Sequence, residues 1–141
     1  MRCGSVKADL FWSEETLLVL LVMEDQHQTE IWDSEQLLHS LGVMKQIMPK
    51  LVETFLNQSS QLLESISEQT NSQLLLTAHS LKGSGSQLCC RRLAAVASQL
   101  EQQLKNQETE DVLQLRLQLM AELSASSESM QRYLNLQMQK N

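Results

Sequence analysis

Thr109-Glu110-Asp111-Val112-Leu113-Gln114-Leu115-Arg116-Leu117-Gln118-Leu119-Met120 is the stretch on which the fold class turns. Leu113, Leu115, Leu117 and Leu119 alternate with other residues, the period-two pattern of a half-buried strand. A helix is nevertheless the better reading. The alternating residues are Leu, Gln and Arg, all good helix formers, and no other segment of the chain reads as a strand to pair with. Downstream, Met120, Leu123, Met130 and Leu134 return to helical spacing. The run from Thr109 onward is therefore expected to be helical.

The segments before it agree. Asn106 and Gln107 form a turn, and Arg91 to Lys105 places Leu93, Ala97, Leu100 and Leu104 at spacings of four, three and four, an amphipathic helix. Thr70 or Asn71 caps the preceding helix, with Gln73 positioned to complete a capping box; Leu74, Ala78, Leu81 and Leu88 point inward and the helix ends near Leu88. Ile47, Leu51, Phe55, Leu62 and Ile66 mark an earlier helix that runs to about Gln69, interrupted at Gln58. Its start falls between Val43 and Met48, because Pro49 is tolerated only in a first turn. Asp33 and Gln36 resemble a capping box and Gly42 supplies a stop, so Ser34 to Leu41 is a short helix burying Leu37, Leu38 and Leu41.

Composition supports the same class. The 141 residues are 42% hydrophobic with only 4 Gly and 1 Pro, enough for one modest core with short connections. The expected fold is all-α: an up-down-up-down antiparallel four-helix bundle over residues 33–138, with one or two additional short N-terminal helices. Residues 1–32 read as a leader and linker. Met1 to Ser5 looks vector-derived, and a short helix from Ser13 carries Leu17, Leu18, Leu20, Leu21 and Met23 between Trp12 and Trp32. That apolar run is too short to span a membrane, so no direct membrane insertion is expected. It is compatible with an extra bundle helix, the end of a preceding domain or a dimer contact.

A formal net charge of -6 argues against nucleic acid as a partner, since phosphate backbones demand clustered Lys and Arg. The 3 cysteines have no chelating spacing and read as reduced thiols in a cytoplasmic protein, Cys89 and Cys90 as packing residues.

Chemistry is concentrated in Ala78-His79-Ser80-Leu81-Lys82-Gly83-Ser84-Gly85-Ser86-Gln87-Leu88. Glycine inside a helix costs on the order of 1 kcal/mol relative to alanine, so two in one helix mark places where a side chain is in the way. At about 100° per residue, His79, Lys82, Gly83 and Ser86 share one stripe. The apolar stripe of Leu74, Ala78, Leu81, Gly85 and Leu88 lies on another face, which turns His79 to solvent. A neutral imidazole there offers a nucleophilic lone pair able to accept and return a phosphoryl group. Lys82 supplies positive charge for the phosphoryl oxygens, while small Gly83 and Ser86 admit another protein's surface. Gly85 serves close helix packing. His27 and His39 read as ordinary solvated residues.

No P-loop or kinase signature is present in the sequence, and no acidic cluster accompanies His79 along the chain. No cofactor is therefore assigned, and the Mg²⁺ of the reaction is expected on the partner.

Ala78-His79-Ser80-Leu81-Lys82-Gly83-Ser84 resembles the phosphorylation motif of the histidine phosphotransfer (HPt) domains of bacterial hybrid sensor kinases. The likeness extends to Leu51-Val52-Glu53-Thr54-Phe55-Leu56, Arg91-Arg92-Leu93-Ala94 and Gln99-Leu100-Glu101, covering roughly Asp33 to Leu134. The resemblance implies His79 as phosphoacceptor, with Lys82 beside it for phosphoryl charge. It also implies receiver domains of a hybrid sensor kinase and a response regulator as partners. Gly83, Ser86, Arg91 and Arg92 lie on the surface they would meet. It further implies a phosphorelay intermediate without kinase activity of its own, a monomeric cytoplasmic module compatible with the C-terminal domain of a membrane-bound sensor kinase. Cys89 departs from the pattern, which has glycine there; either the turn shifts to Cys90 or a non-glycine residue bears a cost near 1 kcal/mol. Two other classes stand beside this reading: a helical module that binds receivers without accepting phosphate, and a hydrolase with a histidine nucleophile, for which no base or oxyanion donor is evident.

Overall fold

The computed structural model describes residues 30–140, and the helix expected from Ser13 lies outside them. Asp33 caps the first described helix: its carboxylate accepts from the Gln36 N–H at 3.0 Å at the start of α1, Ser34–Leu41. Gly42 ends α1 with φ +55°, and a 3₁₀ stretch, Gly42–Ile47, leads into α2, Met48–Ser65, with Pro49 in the first turn. A 3₁₀ turn, Ile66–Glu68, closes α2, and α3 spans Asn71–Gln87 behind a complete capping box between Thr70 and Gln73. Then come α4, Arg91–Lys105, and α5, Val112–Lys140. Among the described residues there is no strand.

The result is an all-α, up-down-up-down antiparallel four-helix bundle in which α3 lies against α4, α4 against α5 and α5 against α2. The period-two run resolves as a helix because Leu115, Leu119 and Leu123 recur every fourth residue and are buried, leaving Leu113 and Leu117 in solvent. Two details differ from the sequence expectation. Leu38 faces outward, because an eight-residue helix lying on one end of the bundle inserts mainly Leu37. In α2 the deepest stripe is Met48, Val52, Phe55 and Ser59, one residue beyond the expected Ile47 and Leu51. Ser59 enters the core because its hydroxyl donates to the Phe55 carbonyl at 2.7 Å, so burial leaves no unmet donor.

The turn between α3 and α4 fixes the site's geometry. Cys90 N–H donates to the Gly85 carbonyl at 2.7 Å and Cys89 N–H to the Ser86 carbonyl at 3.3 Å, a Schellman closure with Cys89 at φ 65° where glycine is the usual residue. The turn therefore stays at Cys89. The segment before α1 braces it: Asp33 N–H donates to the Cys89 carbonyl at 3.0 Å, and the Trp32 indole N–H to the Leu88 carbonyl at 2.9 Å. Trp32 also meets Tyr133 edge-on, with centroids 5.5 Å apart. Both cysteine side chains are buried packing groups, and burial pushes the Cys90 thiol up to about 12.

Gly85 and Gly83 have different roles. A Cβ on Gly85 would lie 3.2 Å from the Ala94 nitrogen and 3.3 Å from the Cys90 carbonyl oxygen, whereas one on Gly83 would meet nothing within 4 Å. Gly85→Leu is accordingly expected to destabilise the bundle by about 1–3 kcal/mol through overpacking. Gly83→Ala is expected to stabilise it by up to about 1 kcal/mol through helix propensity. Urea denaturation of both variants checks this; equal effects would refute the distinction.

Candidate functional site: an oriented histidine on a helix surface

The middle of α3 presents His79, Gly83 and Ser86 as an exposed stripe, with Lys82 partly exposed beside them. The side chain of His79 is 67% exposed. Its Nδ1 lies 2.6 Å from Oε2 of Glu101, which reaches across from α4 and is itself only 4% exposed. Lys82 Nζ holds the other oxygen, Oε1, at 2.6 Å, and Lys105 Nζ lies 3.2 Å from Oε2. The Lys82 ammonium above all, then the contact with His79, holds the Glu101 carboxyl down at about 2, against the opposing effect of burial and with further help from Lys105.

An ionised carboxylate only accepts, so the hydrogen in the short contact belongs to Nδ1. The ring is thereby held as the Nδ1–H tautomer, with the lone pair on Nε2, which has no protein partner among the described residues. The site thus has a fixed imidazole, a nucleophilic nitrogen facing out, and a side-chain-poor surface around it.

The structure brings His79, Lys82, Gly83 and Ser86 together on α3, as their spacing predicts, and adds an acidic partner that the spacing along one helix does not reveal. In the sequence Glu101 stands out only within the family-like run Gln99-Leu100-Glu101. Its signal was positional, because it falls four residues after Ala97 on the inward stripe of α4, where a charge without partners would not be buried. Arg91 and Arg92 sit at the start of α4 and already neutralise carboxylates. Arg91 Nη1 is 3.3 Å from Asp33 Oδ2, and Arg92 Nη2 is 2.8 Å from Glu122 Oε2.

The depressed Glu101 carboxyl makes a pH prediction. A group whose folded-state value lies below its ordinary 4.5 contributes stability above that pH and loses it as pH falls toward about 2. Urea midpoints measured across this acid range should therefore fall less steeply for Glu101→Gln than for the wild type. Parallel curves would contradict the ion cluster.

A helical bundle that displays one oriented imidazole, with its nucleophilic nitrogen in solvent, falls in the class of histidine phosphoryl carriers. Comparison with known proteins agrees: the Hpt domain family model matches residues 50–130. A crystal structure of histidine-containing phosphotransfer protein B from Pseudomonas aeruginosa PAO1 superposes with a TM-score of 0.66. It is 25% identical, and the match covers 74% of this chain and 95% of that one. Comparison with curated protein sequences returned no match. The chain belongs to the Hpt domain family, whose members carry phosphoryl groups between receiver domains rather than acting as kinases, and its function is histidine phosphotransfer in a His-Asp phosphorelay. Among the described residues no helix is long and apolar enough to cross a membrane.

Proposed function

We propose that His79 is the phosphoacceptor and that Nε2 is the atom that takes the group. Nε2 attacks the phosphorus of a receiver aspartyl phosphate in line; the Nε2–P bond forms as the P–O bond to aspartate breaks, and the carboxylate departs with the electron pair. The proton on Nδ1 stays in place. Phosphorylation at Nε2 leaves both ring nitrogens substituted, so positive charge develops on the ring, and the Glu101 carboxylate beside Nδ1 stabilises it. Attack on the phosphorus by a second receiver's aspartate reverses the step. The observation that carries this reading is the 2.6 Å Nδ1–Glu101 contact on a ring that is 67% exposed.

Lys82 has three N–H donors, so it can hold Glu101 Oε1 and still donate to a phosphoryl oxygen. Gly83 and Ser86 form the landing surface. Arg91 and Arg92, 40% and 45% exposed and paired with Asp33 and Glu122, are the further groups offered to a receiver at the start of α4. The carboxylate at His79 is occupied by two lysines and the ring, which favours a Mg²⁺ held by the receiver. The partners are receivers of a hybrid sensor kinase and of a response regulator, in the cytoplasm, and the working module is residues 33–138 without kinase activity of its own.

The test is incubation with a phosphorylated receiver. It should give acid-labile, base-stable phosphate on this chain, and ATP alone should give none. A chain that binds the receiver but never takes phosphate would overturn the proposal.

A further inference from the structure

The carboxylate that orients His79 has a third partner that the transfer step leaves unused. Lys105 Nζ shares Glu101 Oε2 with the imidazole, at 3.2 Å against 2.6 Å for His79 Nδ1, while Lys82 takes Oε1 from the other side. Lys82 and Lys105, together with Ser98, Gln102 and Asn106, line a cleft of about 340 Å³ over the buried carboxylate.

We infer that Lys105 is a positioning residue for phosphotransfer, which tempers the charge that Glu101 presents to the His79 ring and keeps Oε2 aimed at Nδ1. This rests on His79 being the phosphoacceptor. A bare carboxylate against an imidazole favours the doubly protonated ring, and that form has no lone pair with which to attack. A cation on the same oxygen offsets the pull. Nδ1–H is still held, while less net negative charge faces the ring. Lys82 of α3 and Glu101 and Lys105 of α4 are the charged groups at this cluster. Among the described residues no ion pair or hydrogen bond reaches His79 or Glu101 from α2 or α5. The competing view is that Glu101 and Lys105, four residues apart on one helix, make an ordinary helix-end pair, which contributes little and leaves the chemistry untouched.

Lys105→Met and Lys105→Arg in the full chain separate the two. Lys105 is 60% exposed, so neither replacement threatens the core. Two readouts are needed: the pH–rate profile of transfer from a phosphorylated receiver, and the ¹⁵N resonances of the His79 ring followed against pH with no receiver present. Lys105→Met should move the acid limb of the profile, and the ring resonances with it, upward by roughly half to one pH unit. Transfer on that limb then slows by about threefold to tenfold, the alkaline plateau is retained, and Lys105→Arg restores the wild-type curve. Superimposable curves, or a slowing that is uniform across pH, would overturn the inference. Because the resonances are read without phosphate, a shift in a chain that never labels on His79 would leave the Lys105 coupling standing and remove the phosphoacceptor reading instead.

Discussion

His79→Gln is expected to abolish phosphotransfer, a loss of at least about a thousandfold in labelling rate, since a carboxamide nitrogen has no available lone pair with which to attack phosphorus. The bundle should survive. The side chain is 67% exposed and the Gln amide can still donate to Glu101, so the change in stability should stay within about 1 kcal/mol. Receiver affinity, measured by titration calorimetry, should likewise change by no more than a few fold. Affinity retained with labelling lost is the signature of a phosphoacceptor. Equal labelling of variant and wild type would place the chemistry on another residue.

Glu101→Gln carries the second largest effect. Glu101 serves three donors with two oxygens: Lys82 on Oε1, and His79 and Lys105 on Oε2. An amide has one acceptor and one donor end, so whichever way it turns it sets its NH₂ against either the Lys82 ammonium or the Nδ1–H. The ring then loses its fixed tautomer and orientation. Transfer near neutral pH should fall about 10- to 100-fold in single-turnover measurements. Receiver affinity should hold, because Glu101 is only 3% exposed and cannot form part of a docking surface. A wild-type transfer rate in this variant would mean that the carboxylate is a structural ion-pair partner and nothing more.

Most of the helices were legible because their signals are local. The capping box from Thr70 to Gln73 starts α3 where expected, and the stripe of α4 together with the turn at Asn106 gives that helix its bounds, Arg91–Lys105. The leucine run of α5 is ambiguous in period, and the helix-forming residues between its leucines settle it. His79, Lys82, Gly83 and Ser86 were readable as a unit because one helix carries all of them, three or four residues apart.

What escaped depends on contacts between elements, which leave no period in the sequence. Glu101 is 22 residues from His79 and meets it only because Gly85 lets the start of α4 come close to α3. The positive φ at Cys89 is tolerated because Asp33 and Trp32, the latter bonded to a carbonyl 56 residues away, brace the same turn. The outward rotation of Leu38 and the one-residue offset in α2 follow from how each helix settles on the bundle, and burial decided both.

The most direct measurement is heteronuclear NMR of the phosphorylated chain, which identifies the ring nitrogen bonded to phosphorus. Phosphorus on Nε2 of His79, with the proton retained on Nδ1, is the result required by the Glu101 contact. Phosphorus on Nδ1, or on any other residue, would contradict the account at its centre.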